Sequence, residues 1–228
     1  MVKLSLRFFS GFRPKLNIEL AYKIKEIYYT LQGEGYHTGQ AAVFCRFTGC
    51  NLWSGREEDR YKAICKFCDT DFWGMDGELG GKYSAKKLVN TIKSLWPENN
   101  DHCFVVFTGG EPALQMDAEL IEVLHDNGCE IAIETNGTIE LPDGIDWVCM
   151  SPKANTEIVV TKGNELKLVY PQKGAMPNQF ENLNFEHFYI QPMDGNLAKE
   201  NTQKSIQFCL ENPKWRLSLQ THKLIGIP

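Results

Sequence analysis

The chain has 228 residues, with 24 Lys and Arg against 29 Asp and Glu, a formal net charge of −5. That balance excludes a nucleic-acid binder resting on a basic surface, because phosphate neutralisation requires a local excess of cations. Hydrophobic residues are 43% and charged residues 23%, no apolar run approaches the ~20 residues of a membrane span, and a chain of this length buries roughly 70% of its unfolded surface as one domain without disulfide staples.

The opening stretch, Met1 to Tyr22, carries Lys3, Arg7, Arg13 and Lys15, but Ser5, Arg7, Ser10 and Gly11 interrupt its apolar residues. It therefore lacks the unbroken apolar centre of a secretory signal. Residues 1–23 read as an extension ahead of a single domain over 24–228. Short apolar runs bounded by turn residues then recur at Ala41 to Phe47, Cys103 to Phe107, Glu130 to Glu134, Trp147 to Met150, Leu166 to Tyr170, Phe188 to Gln191 and Trp215 to Leu219. Lengths of about 4 to 8 residues rich in Val, Ile, Phe and Leu predict strands covered on both faces, the condition of a parallel sheet.

Helical spacing fills the gaps. Ser84 to Trp96 opens on an N-cap residue and places Leu88, Ile92 and Leu95 on one face. Asp117 to Asn127 groups Leu120, Ile121 and Leu124 and stops before Gly128, the residue type expected just past a helix end. Asn196 to Leu210 is a third, less regular helix. This alternation predicts βαβ units. A closed eight-unit barrel takes about 250 residues, and some crossovers here are too short for a helix, so the expected fold is α/β, an incomplete, open (β/α) barrel.

Eight cysteines are present. Cys103, Cys129, Cys149 and Cys209 sit singly among apolar neighbours and read as small buried hydrophobes. Cys50, Cys65 and Cys68, spaced Cys-x14-Cys-x2-Cys, begin just after the strand Ala41 to Phe47. Three thiolates so placed can hold three irons of a four-iron four-sulfur cluster and leave the fourth open. Adding Cys45 gives two Cys pairs with the spacing of a structural zinc site. Strand alternation points Cys45 away from Phe44 and Arg46 and inside the strand, which weighs against zinc, but spacing alone fits either.

Glycines at Gly109 and Gly110 follow a buried strand, where they permit either close backbone approach to a ligand or an ordinary strand-to-helix turn. The three-cysteine loop followed by Thr108-Gly109-Gly110-Glu111-Pro112 resembles the radical S-adenosylmethionine superfamily, with a long insertion between the first two cysteines. Further motifs narrow the resemblance to its 7-carboxy-7-deazaguanine synthase branch. These are Tyr29 to Gly35 (YTLQGEG), Cys68-Asp69-Thr70, Glu134-Thr135-Asn136-Gly137, Ser151-Pro152-Lys153, Gln191-Pro192-Met193-Asp194 and Gln220-Thr221-His222-Lys223. The resemblance covers roughly residues 24 to 228.

The resemblance implies a lyase that converts 6-carboxy-5,6,7,8-tetrahydropterin to 7-carboxy-7-deazaguanine and ammonia in queuosine and 7-deazapurine synthesis. Its implied cofactors are a 4Fe-4S cluster on Cys50, Cys65 and Cys68, S-adenosylmethionine, and a magnesium ion held by Thr70. Magnesium prefers oxygen ligands and accepts few from protein. The implied S-adenosylmethionine contacts are Phe67, Cys68, Asp69, Gly110, Glu134, Ser151, Pro152, Lys153, Gln191, Pro192, Met193 and Asp194; Pro, Ser and Asp at such places are also ordinary turn residues. The implied substrate contacts are Leu31, Gln32, Gly33, Glu34, Arg46, Thr108 and Pro228. Arg46, a cation inside a strand, requires an anion, either a substrate carboxylate or an internal partner such as Glu34. The resemblance also implies an electron donor such as flavodoxin or ferredoxin, a homodimer, a cytoplasmic setting, and neither a nucleic-acid nor a membrane partner. A sister radical enzyme on another substrate, or a zinc-bearing binding protein, are the alternatives.

Overall fold

The computed structural model describes residues 21–99 and 102–228. Most of the expected extension therefore lies outside the described residues; its last residues, Tyr22 and Lys23, begin the first strand. Among the described residues nine strands form one sheet in the order β3-β1-β2-β4-β5-β6-β7-β8-β9. From β2 (Ala41–Phe47) through β4 (Cys103–Gly109), β5 (Cys129–Thr135), β6 (Trp147–Met150), β7 (Lys162–Tyr170), β8 (Asn184–Pro192) and β9 (Trp215–Leu217) all neighbours are parallel. β1 (Tyr22–Leu31) pairs antiparallel with β2, and β3 (Gly81–Tyr83) pairs antiparallel with β1. The edge strands β3 and β9 do not pair with each other, so the curled sheet stays open, as an incomplete barrel does.

Two strands escape a reading based on continuous apolar runs. β1 carries Lys23, Lys25 and Glu26 among its apolar residues, and its register breaks between Ile24 and Glu26. The irregularity turns Lys25 inward, where its ammonium meets Asp71 and Asp76 at 2.8 Å each. β3 is only three residues long.

Helices α1 (Ala85–Leu95), α2 (Ala118–Asp126) and α3 (Ala198–Glu211) cover the outer face of the sheet. Leu88, Val89 and Ile92 of α1 and Leu120, Ile121 and Leu124 of α2 pack on Val43, Cys45, Phe47, Val105, Phe107, Ile131 and Ile133 in one apolar layer. Phe208 of α3 packs with Leu166, Leu168, Phe188, Ile190 and Trp215 in a second. Asp117 caps α2 by accepting from the Leu120 amide at 3.0 Å, and the same oxygen accepts from the Tyr22 hydroxyl at 2.7 Å, fastening β1 to that helix. Ser84 stands at the N-cap of α1 but makes no side-chain cap bond. No helix lies between β5 and β6 or between β6 and β7. A short helix α4 (Thr221–Ile225) ends the chain, and no helix among the described residues is long and apolar enough to cross a membrane.

Candidate active site

Side chains alternate across a strand, so every second residue of the covered strands points away from the helices. These inward positions are Phe44 and Arg46 on β2, Thr108 on β4, Glu134 on β5, Lys167 and Val169 on β7, and Gln191 on β8. They line a cleft of about 400 Å³ at the carboxyl ends of the parallel strands. Registered pairing places Arg46 directly beside Thr108.

The loop after β2 folds over this mouth. Fourteen residues separate Cys50 from Cys65, yet the Leu52 carbonyl accepts from the amides of Ile64 and Cys65 at 3.0 and 3.4 Å, closing the insertion into a compact lobe. Trp53 and Phe72 meet edge to face at 5.4 Å and form, with Ala63, a small apolar cluster against which Cys50 and Cys68 pack. The Arg60 guanidinium lies 3.9 Å over Trp53 and donates to the Lys66 carbonyl at 3.0 Å. Cys50, Cys65 and Cys68 are free thiols lining the cleft. Cys45 is 0% exposed in the apolar layer on the opposite face of β2, and burial pushes its thiol well above the usual range. The four thiols therefore do not form one tetrahedral site; the three in the loop share the cleft, and among the described residues no three Cys, His, Asp or Glu side chains gather closely enough to hold a single metal ion, which a multi-iron cluster with one thiolate on each iron does not require.

The two glycines at the end of β4 are explained by backbone approach. A Cβ on Gly109 would sit 2.2 Å from the Phe47 carbonyl oxygen, and one on Gly110 would sit 1.9 Å from that of Gly49. The Glu111 amide donates to Gly49 O at 2.8 Å. This segment thus packs against the backbone leading into Cys50 while Gly110 also lines the cleft. Glu111 is fully buried, accepting from Thr135 Oγ1 at 2.8 Å, the Asn136 amide at 2.7 Å and the Ala113 amide at 3.1 Å. Asn136 Nδ2 donates to Asn51 Oδ1 at 3.0 Å. The strand ends of β4 and β5 and the cysteine loop are thereby one hydrogen-bonded unit.

Of the residues expected in the site, Pro152 alone does not line the cleft. It is buried behind it, its carbonyl accepting from Gln172 Nε2 at 3.2 Å. Ser151 and Lys153 do line it, and Lys153 Nζ donates to both oxygens of Ser151 at 2.7 Å. Met193 is held from behind, its carbonyl accepting from Asn201 Nδ2 of α3 at 2.8 Å, while Asp194 pairs with Lys223 at the cleft. Thr70 lines the cleft between two engaged carboxylates: Asp69 accepts from Lys223 at 2.7 Å and Asp71 from Lys25 at 2.8 Å. The Thr70 hydroxyl faces the cleft between these two ion pairs.

The charged pairs differ from expectation. Arg46 pairs not with Glu34 but with Glu26, its register partner on β1, at 2.7 Å, and donates to the Tyr28 hydroxyl at 3.1 Å. Tyr28 in turn stacks on Phe44, ring centroids 5.6 Å apart. Glu34 meets Lys167 at 2.7 Å and accepts from Gln220 at 3.0 Å; although burial opposes ionisation, the ammonium holds its carboxyl down at about 2. Glu134 meets the same lysine at 2.9 Å. Cys149 does not sit in apolar surroundings: it faces Glu134, Glu165 and Lys167, and burial, reinforced by the carboxylates, raises its thiol. Gly33 lies directly against His222, where a Cβ would stand 2.2 Å from Nδ1 and the imidazole would have to shift. The Thr30 hydroxyl donates to the Pro228 carbonyl oxygen at 3.1 Å, so the end of the chain packs against β1 at the cleft.

Sequence reasoning assigned no role to Lys167, His222, Gln220 and Lys223. Lys167 carried the same signal as Arg46, a cation within a buried strand. The other three lie in a motif noted only as a resemblance.

An open, mostly parallel barrel with a three-cysteine loop after its first parallel strand and polar strand ends around the same mouth defines a radical S-adenosylmethionine enzyme. No family model matches the chain, but individual proteins do. It is 60% identical over 209 residues to the 7-carboxy-7-deazaguanine synthase of Bradyrhizobium diazoefficiens, covering 91% of this chain and 100% of that one. It is 57% identical to the enzyme of the same name from Caulobacter vibrioides, covering 92% and 100%. The crystal structure of QueE from Escherichia coli superposes with a TM-score of 0.69 at 28% identity, over 92% of this chain and 100% of that one. The chain belongs to the 7-carboxy-7-deazaguanine synthase family, and it is a lyase.

Proposed function

We propose that the protein converts 6-carboxy-5,6,7,8-tetrahydropterin to 7-carboxy-7-deazaguanine and ammonia. The observation that carries this reading is that Cys50, Cys65 and Cys68 line the same cleft as Gln32, Glu34, Arg46 and Thr108. The three thiols would hold a 4Fe-4S cluster, and S-adenosylmethionine would lie along Phe67, Asp69, Gly110, Ser151, Lys153 and the Gln191 to Asp194 turn, with Glu134 at the border between it and the substrate. Pro152 would act from behind, holding the segment that presents Ser151 and Lys153 through the bond its carbonyl accepts from Gln172. When bound, cluster and S-adenosylmethionine together supply one-electron hydrogen-abstraction chemistry.

The chain's own residues bind, orient and exclude water. Arg46, held by Glu26 and Tyr28, offers a guanidinium to the substrate carboxylate. Leu31, Gln32, Gly33 and Glu34 border the ring, and Thr108 and Pro228 complete the pocket. Thr70 would contribute an oxygen to magnesium shared with substrate. A small donor such as flavodoxin or ferredoxin would supply the electron, and the working unit would be a cytoplasmic homodimer of single domains, each opening with β1 at Tyr22 rather than at residue 24.

The test is anaerobic. The reconstituted, reduced protein is given S-adenosylmethionine, magnesium and 6-carboxytetrahydropterin, and products are read by mass. Both 7-carboxy-7-deazaguanine and 5′-deoxyadenosine are expected. Deoxyadenosine alone would retain the chemistry and overturn the substrate.

A further inference from the structure

Lys167 lies in the middle of β7 with its side chain 4% exposed. Removing an ammonium from water is costly, and an apolar residue of similar volume would pack the strand without that penalty, so the position calls for an account of what the charge holds. Its Nζ stands 2.7 Å from Glu34 Oε2 and 2.9 and 3.1 Å from the two oxygens of Glu134. Glu34 belongs to the loop between β1 and β2, Glu134 to the end of β5 and Lys167 to β7. One cation thus joins three segments distant in sequence. Neutral amides complete the arrangement: Gln32 Nε2 donates to Glu134 Oε1 at 3.3 Å, the Glu34 amide donates to Gln32 Oε1 at 3.1 Å, and Gln220 Nε2 donates to Glu34 Oε1 at 3.0 Å. All five side chains line the cleft that also holds Arg46 and Thr108.

Resting on the reading that a pterin occupies this part of the cleft, we propose that Lys167 is a positioning residue for substrate. By bridging Glu34 and Glu134 it fixes two carboxylates as paired acceptors for the adjacent ring N–H and amino donors of a 2-amino-4-oxopyrimidine. An ionised carboxylate accepts at both oxygens, whereas a protonated one turns one of them into a donor. The titratable groups facing the lysine are Glu34, Glu134, Cys149 and Glu165, and His222 faces Glu34 from α4. Without the ammonium, Glu34 and Glu134 become two half-buried anions with no cation between them, an arrangement that favours one proton shared by the pair. A protonated carboxyl presents a donor where the ring also presents one.

The experiment compares wild type, Lys167→Met and Lys167→Arg, titrating 6-carboxypterin by its fluorescence at about pH 6 and about pH 7.5, alongside iron content, melting temperature and steady-state KM and kcat. Lys167→Met is expected to bind about 30-fold more weakly than wild type at the lower pH and about 5-fold more weakly at the higher, where the shared proton leaves. KM should rise more than kcat falls, iron content should be unchanged, and Lys167→Arg, which keeps both carboxylates paired, should stay within about 3-fold of wild type. Should Lys167→Met not fold, Lys167→Gln carries the same expectation, since it keeps N–H donors but no charge. A folded, uncharged variant that melts lower yet binds 6-carboxypterin like wild type at both pH values would reduce Lys167 to a packing residue and overturn the proposal. If wild type itself neither binds the pterin nor turns over its tetrahydro form, the substrate reading fails, and the proposal falls with it.

Discussion

The two faces of the sheet are built from alternate residues of the same strands and do opposite work. On β2 and β4 the outward positions Val43, Cys45, Phe47, Val105 and Phe107 pack under α1 and α2, while Arg46 and Thr108 face the cleft. On β7 Leu166 and Leu168 are outward, and Glu165 and Lys167 are inward. The outward face is apolar and continuous, so its contribution scales with area removed from water. The inward face is charged, and each of its groups is stabilised only by a particular partner. A strand can carry both because its side-chain period is two residues.

The contrast is broken most severely at the cleft. Cys65→Ala removes a thiol that no neighbouring side chain replaces; all turnover and the iron–sulfur absorbance should vanish. The melting temperature of the cluster-free protein should barely move. A Cys65→Ala protein that keeps its absorbance and activity would falsify the cluster assignment.

The outward face should respond in the opposite sense. Phe107 is 0% exposed, 5.7 Å from the ring of Phe47, and Phe107→Ala should cost about 3 to 5 kcal/mol of stability through lost burial and a cavity. Denaturant titration measures this. At a temperature where the variant stays folded, its KM for the pterin should match wild type; a large KM change would show that the two faces are not independent.

The subtlest expectation concerns acid. Lys167 holds Glu34 at about 2 in the fold, below its ordinary value of 4.5, so the folded carboxyl binds its proton less readily than the unfolded one. The resulting stability is fully present above about pH 4.5 and is lost as pH falls toward 2. Acid unfolding of Glu34→Gln should therefore show a shallower dependence in that window than wild type. Equal slopes would mean that Glu34 does not contribute there.

The apolar layers could be read from the sequence because they are local patterns. Seven apolar runs became β2 and β4 to β9, and two strongly amphipathic stretches became α1 and α2, with Gly128 at φ 69° ending the latter. β1 was missed because its bulge and its buried Lys25 disguise a half-buried strand. The cleft was legible as motifs: the three thiols, the strand-end segments and the cation in β2 all face it, with Pro152 the exception.

What the sequence by itself determined was therefore the open α/β framework, most of the residues that line the cleft and the family to which the chain belongs. Those follow from periodicity and from short motifs whose members lie close along the chain. Only the tertiary structure decided which charge meets which. Arg46 finds Glu26 across an antiparallel register, Lys167 joins Glu34 and Glu134 over 133 and 33 residues of sequence, and Lys223 reaches Asp69 over 154. Electrostatic partners are set by distance in space, and sequence separation carries almost no information about it.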